Sequence, residues 1–164
     1  MNLPKRKHPR LNDYDYSLPG YYYATIQTAN PSICLSTVGR GLAPAAAGVM
    51  LTPMGQMIES QLLDLETRYA HVKIERYIIM PTHLHVIIRL LETAGASPRP
   101  TLMDILGAFK SLSTRICNQL DGTPGRKLFQ TSFYEEVLRN EYAYLEACRY
   151  IDENPIKWLE LHQG

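Results

Sequence analysis

The chain predicts an α+β fold in which helices pack on an antiparallel sheet. Three observations carry that expectation. The elements read in the order strand, short strand, helix, two strands, helix, helix, without the strand–helix alternation of a parallel sheet. Apolar residues recur at helical spacing behind Thr52-Pro53 and behind Thr101. Two apolar runs, Val72 to Met80 and His83 to Leu91, are close enough to form a hairpin across Met80-Pro81-Thr82.

Tyr21 to Thr28 is rich in β-branched and aromatic residues and follows the turn signal Pro19-Gly20, so it reads as a strand. Ile33 to Val38 reads as a second, short strand, and Gly39 to Gly48 as a Gly/Ala/Pro-rich loop before a brief strand at Val49 to Thr52. Thr52 then caps a helix with Pro53 at its first position. Met57, Ile58, Leu62, Leu65 and Tyr69 share one face of it. The run from His83 to Leu91 is apolar on both faces beyond His85, as a central strand would be. After the loop Glu92 to Pro100, Thr101 caps a helix with Leu102, Ile105, Leu106, Phe109, Leu112 and Ile116 on its inner stripe. Asp121 to Lys127 is a loop, and Leu128 to Val137 holds an extended piece of undefined bounds. Asn140 caps a last helix from Glu141 to about Asn154, ended by Pro155.

With 164 residues, 45% of them apolar and 20% charged, the chain is long enough for one domain with a core of its own. Cys34, Cys117 and Cys148 are far apart and form no CxxC pair, which fits a reducing, cytoplasmic setting. No apolar run is long enough to span a bilayer, and no apolar segment follows the charged N-terminus as a secretory signal requires. The net charge of +1 does not announce a nucleic-acid partner. Its distribution is uneven: Lys5, Arg6, Lys7 and Arg10 precede any acid, while acids outnumber bases from Glu135 onward. We therefore read residues 1–20 as a basic arm ahead of a single domain, 21–164. Such an arm either follows a phosphate backbone or is a solvated terminus.

His83-Leu84-His85 is the most informative tripeptide. Residues two apart on a strand share a face, so two imidazoles project side by side from an otherwise apolar strand. They are either satisfied by protein partners or joined by a divalent metal. A histidine-triad nucleotide hydrolase would need a third histidine where Ile87 stands. His8, His71 and His162 have no ligand-like spacing to the pair, which disfavours zinc. On the last helix Tyr150 and Asn154 are four apart and share a face. The amide oxygen of Asn154 suits a hard cation such as Mg2+ or Mn2+, and the Tyr150 phenol is a potential nucleophile beside a metal-bound phosphate. Equally, Tyr150 reads as a core aromatic and Asn154 as a residue of the helix end.

These residues carry a resemblance. Tyr77-Ile78-Ile79-Met80-Pro81-Thr82-His83-Leu84-His85-Val86-Ile87-Ile88 resembles the His-hydrophobic-His signature of the IS200-like transposases, a group of HUH single-strand nucleases. Tyr150-Ile151-Asp152-Glu153-Asn154-Pro155-Ile156-Lys157 is similar to a segment of their REP-associated tyrosine transposase branch. Further similar segments are Asp13 to Tyr16 with Tyr21 to Ile26, Gly107 to Ser111, and Phe133 to Glu141, in order along nearly the whole chain.

The resemblance implies a ferredoxin-like or RRM-like sandwich with the histidine strand central in the sheet. It implies a divalent metal, Mg2+ or Mn2+, on His83, His85 and Asn154. Tyr150 would attack single-stranded DNA near hairpin or palindromic elements, leaving a 5′-phosphotyrosine and a free 3′-OH that a second 3′-OH can reverse. A monomer or a homodimer is compatible with it. Thr82 departs from the usual Asn before the first histidine, and Glu136 stands where many relatives have His. For DNA contacts we expect the arm residues Lys5, Arg6, Lys7 and Arg10, with Lys110 and Arg115 on the middle helix; Arg126 and Lys127 are further candidates. Tyr14, Tyr16 and Tyr21 to Tyr23 either stack on unpaired bases or fill the core. Tyr134, Tyr142 and Tyr144 are rival nucleophiles. Two other functions fit the same residues: a hairpin-binding protein that does not cut, and a phosphohydrolase of small nucleotides.

Overall fold

A computed structural model describes residues 13–40, 47–92 and 99–162. Lys5, Arg6, Lys7 and Arg10 lie outside the described residues. The elements are β1 (Gly20–Gln27), β2 (Ser36–Arg40), β3 (Ala47–Leu51), α1 (Pro53–Arg68), β4 (Val72–Ile79), β5 (His83–Leu90), α2 (Leu102–Asp121), β6 (Tyr134–Leu138) and α3 (Glu141–His162).

Local chemistry sets most of these limits. The Thr52 hydroxyl accepts from the Gly55 amide at 3.1 Å, with Pro53 opening α1. Gly55 has no alternative at its position, because a Cβ there would lie 1.9 Å from the Leu35 carbonyl oxygen. Thr101 and Asp104 form a reciprocal capping box on α2, and Gly122, at φ 66°, closes it in the left-handed conformation. The Asn140 side chain accepts from the Ala143 amide at 2.8 Å and caps α3.

β4, β5, β1 and β6 form one antiparallel sheet in that order. Leaving aside the β2–β3 ribbon, the chain runs β1-α1-β4-β5-α2-β6, the ferredoxin-like order, with the histidine strand central as expected. β4 and β5 form the expected hairpin, closed by the Met80 amide on the His83 carbonyl at 2.8 Å.

Strand alternation gives the sheet two different faces. Tyr22, Ala24 and Ile26 of β1 and Leu84, Val86, Ile88 and Leu90 of β5 join α1 and α2 in the main core. Tyr23 and Ile87 turn the other way and pack with Leu138 against Cys148 and Ile151 of α3. Residues 13–18 dock on the main core through Tyr16, which is buried and donates to the Glu135 carboxylate at 2.8 Å.

Four details differ from expectation. The second and third strands are Ser36–Arg40 and Ala47–Leu51, so Gly39 and Gly48, expected in a loop, pair across a ribbon. That ribbon is a two-stranded sheet apart from the main one, where a glycine sacrifices little packing. The extended piece in Leu128 to Val137 is β6, displaced toward Leu138. On α2 the inner stripe runs on through Ser113 and Cys117, while Leu112 and Ile116 are only half-buried. Most consequentially, α3 does not end at Pro155 but continues to His162. Pro155 cannot donate to the carbonyl four residues back. The proline is itself buried, Trp158 beyond it is half-buried, and this packing outweighs the missing bond.

Candidate active site

The face of the sheet under α3 carries the polar side chains. β5 directs His83 and His85 there, β1 directs Tyr23 and Thr25, and β6 directs Tyr134 and Glu136. The register sets Thr25 between His85 on one side and Tyr134 on the other. α3 lies across this row and presents Tyr150, Asn154 and Trp158 at successive intervals of four, one stripe along the helix.

The residues singled out by spacing converge. The rings of His83 and His85 are 4.7 Å apart between centroids, and the Tyr150 ring lies 5.4 Å from that of His85. The Asn154 side chain lies close enough to both imidazoles and to the Tyr150 phenol to influence their titration, although it makes no hydrogen bond of normal geometry to Nε2 of either ring. Its amide also donates to the Tyr150 carbonyl at 3.2 Å. His85 is fully buried, Asn154 is 2% exposed and His83 is 8% exposed.

Burial makes both imidazoles poor bases. Loss of solvation pushes His83 down to about 4 and His85 down to about 3, the latter helped by neighbouring His83 and both opposed by Asn154. Both rings are therefore neutral at neutral pH. Nδ1 of His85 meets the Tyr23 hydroxyl at 2.6 Å and the Thr25 hydroxyl at 2.9 Å. Thr82 lies 3.4 Å from Nδ1 of His83, so the residue standing in the usual asparagine position borders the same ring. Nε2 of each ring is buried without a hydrogen-bond partner. Orphaned buried nitrogens are costly and rare, and two on adjacent rings call for an electrophile. When Nδ1 holds the proton, the Nε2 lone pair faces outward as a ligand. Among the described residues no third His, Cys, Asp or Glu joins the pair in a metal-binding cluster. The remaining donor is the Asn154 amide. Two neutral nitrogens and an amide oxygen leave positions open for substrate oxygens.

Tyr150 is half-buried and lines a cleft of about 710 Å3 with Tyr23, Tyr134, Glu136, Arg149 and Lys157. Burial raises its phenol above the ordinary value, opposed by the Asn154 interaction. His83 and Asn154 line a second pocket, of about 300 Å3. Lys157 borders both cavities, with Nζ 5.4 Å from the centre of the Tyr150 ring and 3.3 Å from Glu153.

The rival tyrosines are placed differently. Tyr142 is 74% exposed, and Tyr144 packs edge-on against Tyr21 at 5.1 Å. Tyr134 stands beside Tyr23, 6.2 Å between centroids. Tyr16, Tyr22 and Tyr23, read as potential base-stacking rings, are buried and are part of the interior. Lys110 and Arg115 belong to α2, on the opposite layer from Tyr150, and are not brought to the site. The Lys110 ammonium donates to the Gln130 and Thr131 carbonyls, at 2.6 and 2.9 Å. Arg126 is tied to Asn118 and Asp121, and Lys127 to the Thr131 hydroxyl. Sequence reasoning missed Tyr23 and Thr25 as the partners of His85. The available signal was the register: polar residues at alternate positions of the neighbouring strand. It also missed Trp158, hidden by the supposed helix end at Pro155.

No protein-family model matches the chain. It is 25% identical to an uncharacterized protein of Haemophilus influenzae over 167 residues, covering 93% of this chain and 89% of that one. Among solved structures it is similar to a REP-associated tyrosine transposase bound to a REP hairpin, with a TM-score of 0.65 and 20% identity over 96% of this chain and 74% of the other. It is also similar to a candidate transposase of Deinococcus radiodurans R1, with a TM-score of 0.52 and 17% identity over 89% of this chain and 96% of that one. At such identities the likeness is one of fold: this chain has the α+β architecture of a tyrosine transposase along almost its whole length.

Proposed function

We propose that this protein cuts and rejoins single-stranded DNA at hairpin elements, with Tyr150 as nucleophile and Mg2+ or Mn2+ held by His83, His85 and Asn154. The observation that carries this reading is the pair of orphaned Nε2 atoms beside Asn154, one ring away from a tyrosine on an open cleft. The fold neighbour bound to a REP hairpin supports the choice of substrate. The bound cation would polarise the phosphate and stabilise the departing oxygen.

The protein's own groups do the rest. Oη of Tyr150 attacks phosphorus, the P–O3′ bond breaks, and a 5′-phosphotyrosine and a 3′-OH result. The phenol gives up its proton to solvent in the cleft, and the leaving oxygen gains one. Because burial raises the phenol's pKa, that deprotonation needs help. Asn154 favours the phenolate. Attack by another 3′-OH on the phosphotyrosine reverses the step, so no external energy source is required. Lys5, Arg6, Lys7 and Arg10 would follow the hairpin backbone.

A second reading, a hairpin binder that does not cut, draws on Glu136, Glu146 and Glu153, which line the Tyr150 cleft and repel a phosphate backbone. The test is a labelled hairpin oligonucleotide with an unpaired tail, incubated with Mg2+ or Mn2+ and resolved under denaturing conditions. A covalent protein–DNA band from the wild type and none from Tyr150→Phe is the expected result. Binding without a band in either metal establishes the binder; release of free nucleotide without a band establishes a hydrolase.

A further inference from the structure

The continuation of α3 past Pro155 carries Trp158, Leu161 and His162 to the edge of the site. There they wall the pocket of about 300 Å3 with Gln27, Thr82 and His83. The Trp158 ring lies 6.1 Å from that of His83. The His162 imidazole rests flat on the indole, 4.0 Å between centroids and 13° from parallel. His162 is exposed on the last turn of the helix, with Nδ1 2.8 Å from the Trp158 carbonyl oxygen, and Trp158 is half-buried. The pocket thus displays an aromatic plate that already carries a stacked heteroaromatic ring. The amide of Gln27 and the hydroxyl of Thr82 line it, where they can meet the polar edge of such a ring. Its volume is at the small end for ligand pockets and fits one ring system, not a base pair. Lys157 borders this pocket and the Tyr150 cleft alike, so a phosphate held by Lys157 has this pocket on one side and the nucleophile on the other.

We propose that this pocket receives the unpaired nucleobase flanking the scissile phosphate, stacked on Trp158 in the place His162 now holds. The proposal rests on the DNA-cleavage reading above and adds where the substrate's flanking base is held. Stacking on an aromatic side chain tolerates any base, and Gln27 and Thr82 add preference.

Trp158 is the single tryptophan of the chain, so indole fluorescence, excited selectively beyond the absorption of the eleven tyrosines, reports on this pocket. The probes are a hairpin from the inverted repeats nearest the gene, carrying an unpaired tail, and copies made abasic at each tail position in turn. Binding is followed independently by the anisotropy of an end label. We expect the intact tail to quench Trp158, and one abasic position to abolish the quench and weaken binding roughly 10- to 100-fold. His162→Ala keeps the quench and binds at least as tightly. Equal quenching by intact and abasic tails, bound DNA without quenching, or no binding at all overturns the proposal. A covalent adduct with no base-dependent quench removes the pocket and leaves the cleavage reading intact. A base-dependent quench with no adduct does the reverse.

Discussion

Between His83 and Ile88 both faces of β5 are buried, yet at the two histidines they differ in chemistry. Toward α1 and α2 the strand presents Leu84, Val86, Ile88 and Leu90, all 0–1% exposed. Toward α3 it presents His83, His85, Ile87 and the exposed Arg89, and His85 is as buried as any leucine. On the first face burial removes apolar area from water, about 1.5–3 kcal/mol for each large side chain. On the second it strips water from ring nitrogens and leaves two of them without partners. Equal burial therefore stabilises one face and costs stability on the other. The proposed chemistry would account for residues kept at such a cost, and the comparison can be tested from both sides.

The largest effect belongs to the α3 face. Tyr150→Phe keeps the ring that packs near His85 but removes the proposed nucleophile. Adduct formation should fall by on the order of 10^3-fold or more while the melting temperature barely moves. A marked loss of stability instead would make Tyr150 a core residue.

Next come two neighbouring positions of β5. Leu84→Ala should cost about 2–5 kcal/mol in urea unfolding. His85→Leu should cost less, about 1 kcal/mol, since it removes an unsatisfied nitrogen and leaves the Tyr23 and Thr25 hydroxyls, 3.0 Å apart, bonded to each other. Equal losses would erase the distinction between the faces.

The histidine pair should also make the metal-free protein acid-sensitive. Both rings sit below the ordinary histidine value of 6.5, at about 4 and about 3, so the unfolded chain binds more protons than the folded one between those limits. Their contribution is intact above pH 6.5 and is lost as pH falls toward 3. Urea midpoints across that range should decline less steeply in a His83→Gln/His85→Gln double variant than in the wild type. Parallel declines would show that the pair is not the source.

A smaller effect is expected one shell out. Tyr23→Phe removes the 2.6 Å hydrogen bond to Nδ1 of His85. Mn2+ affinity, read by calorimetry, should drop roughly 10- to 100-fold with a stability loss near 1 kcal/mol. Smallest of all, Asp152→Asn breaks the exposed pair with Arg76 on the outer side of α3, at about 0–1 kcal/mol. A larger cost would mean that α3 is held to the sheet through its surface and not through Cys148 and Ile151.

Much of this arrangement was legible in the chain because it follows from short periods. A spacing of two puts His83 and His85 on one side of a strand; a spacing of four puts Tyr150 and Asn154 on one side of a helix. Caps at Thr52, Thr101 and Asn140 announced where helices start, and all three hold. The helix end was misread at Pro155 because a local rule about a missing N–H ignores what the following turns gain by packing. The tyrosines behind the arm were open between stacking and core, and burial of Tyr16, Tyr22 and Tyr23 decides for the core.

Sequence alone determined the class of fold, the order of its elements and the faces on which the candidate groups stand, since each depends on residues a few positions apart. Tertiary structure alone decided that α3 crosses the histidine face, that Tyr23 and Thr25 hold His85, and that Trp158 roofs the neighbouring pocket. Those facts join residues about sixty or more positions apart. Only the balance of burial and desolvation across the assembled sheet can set them.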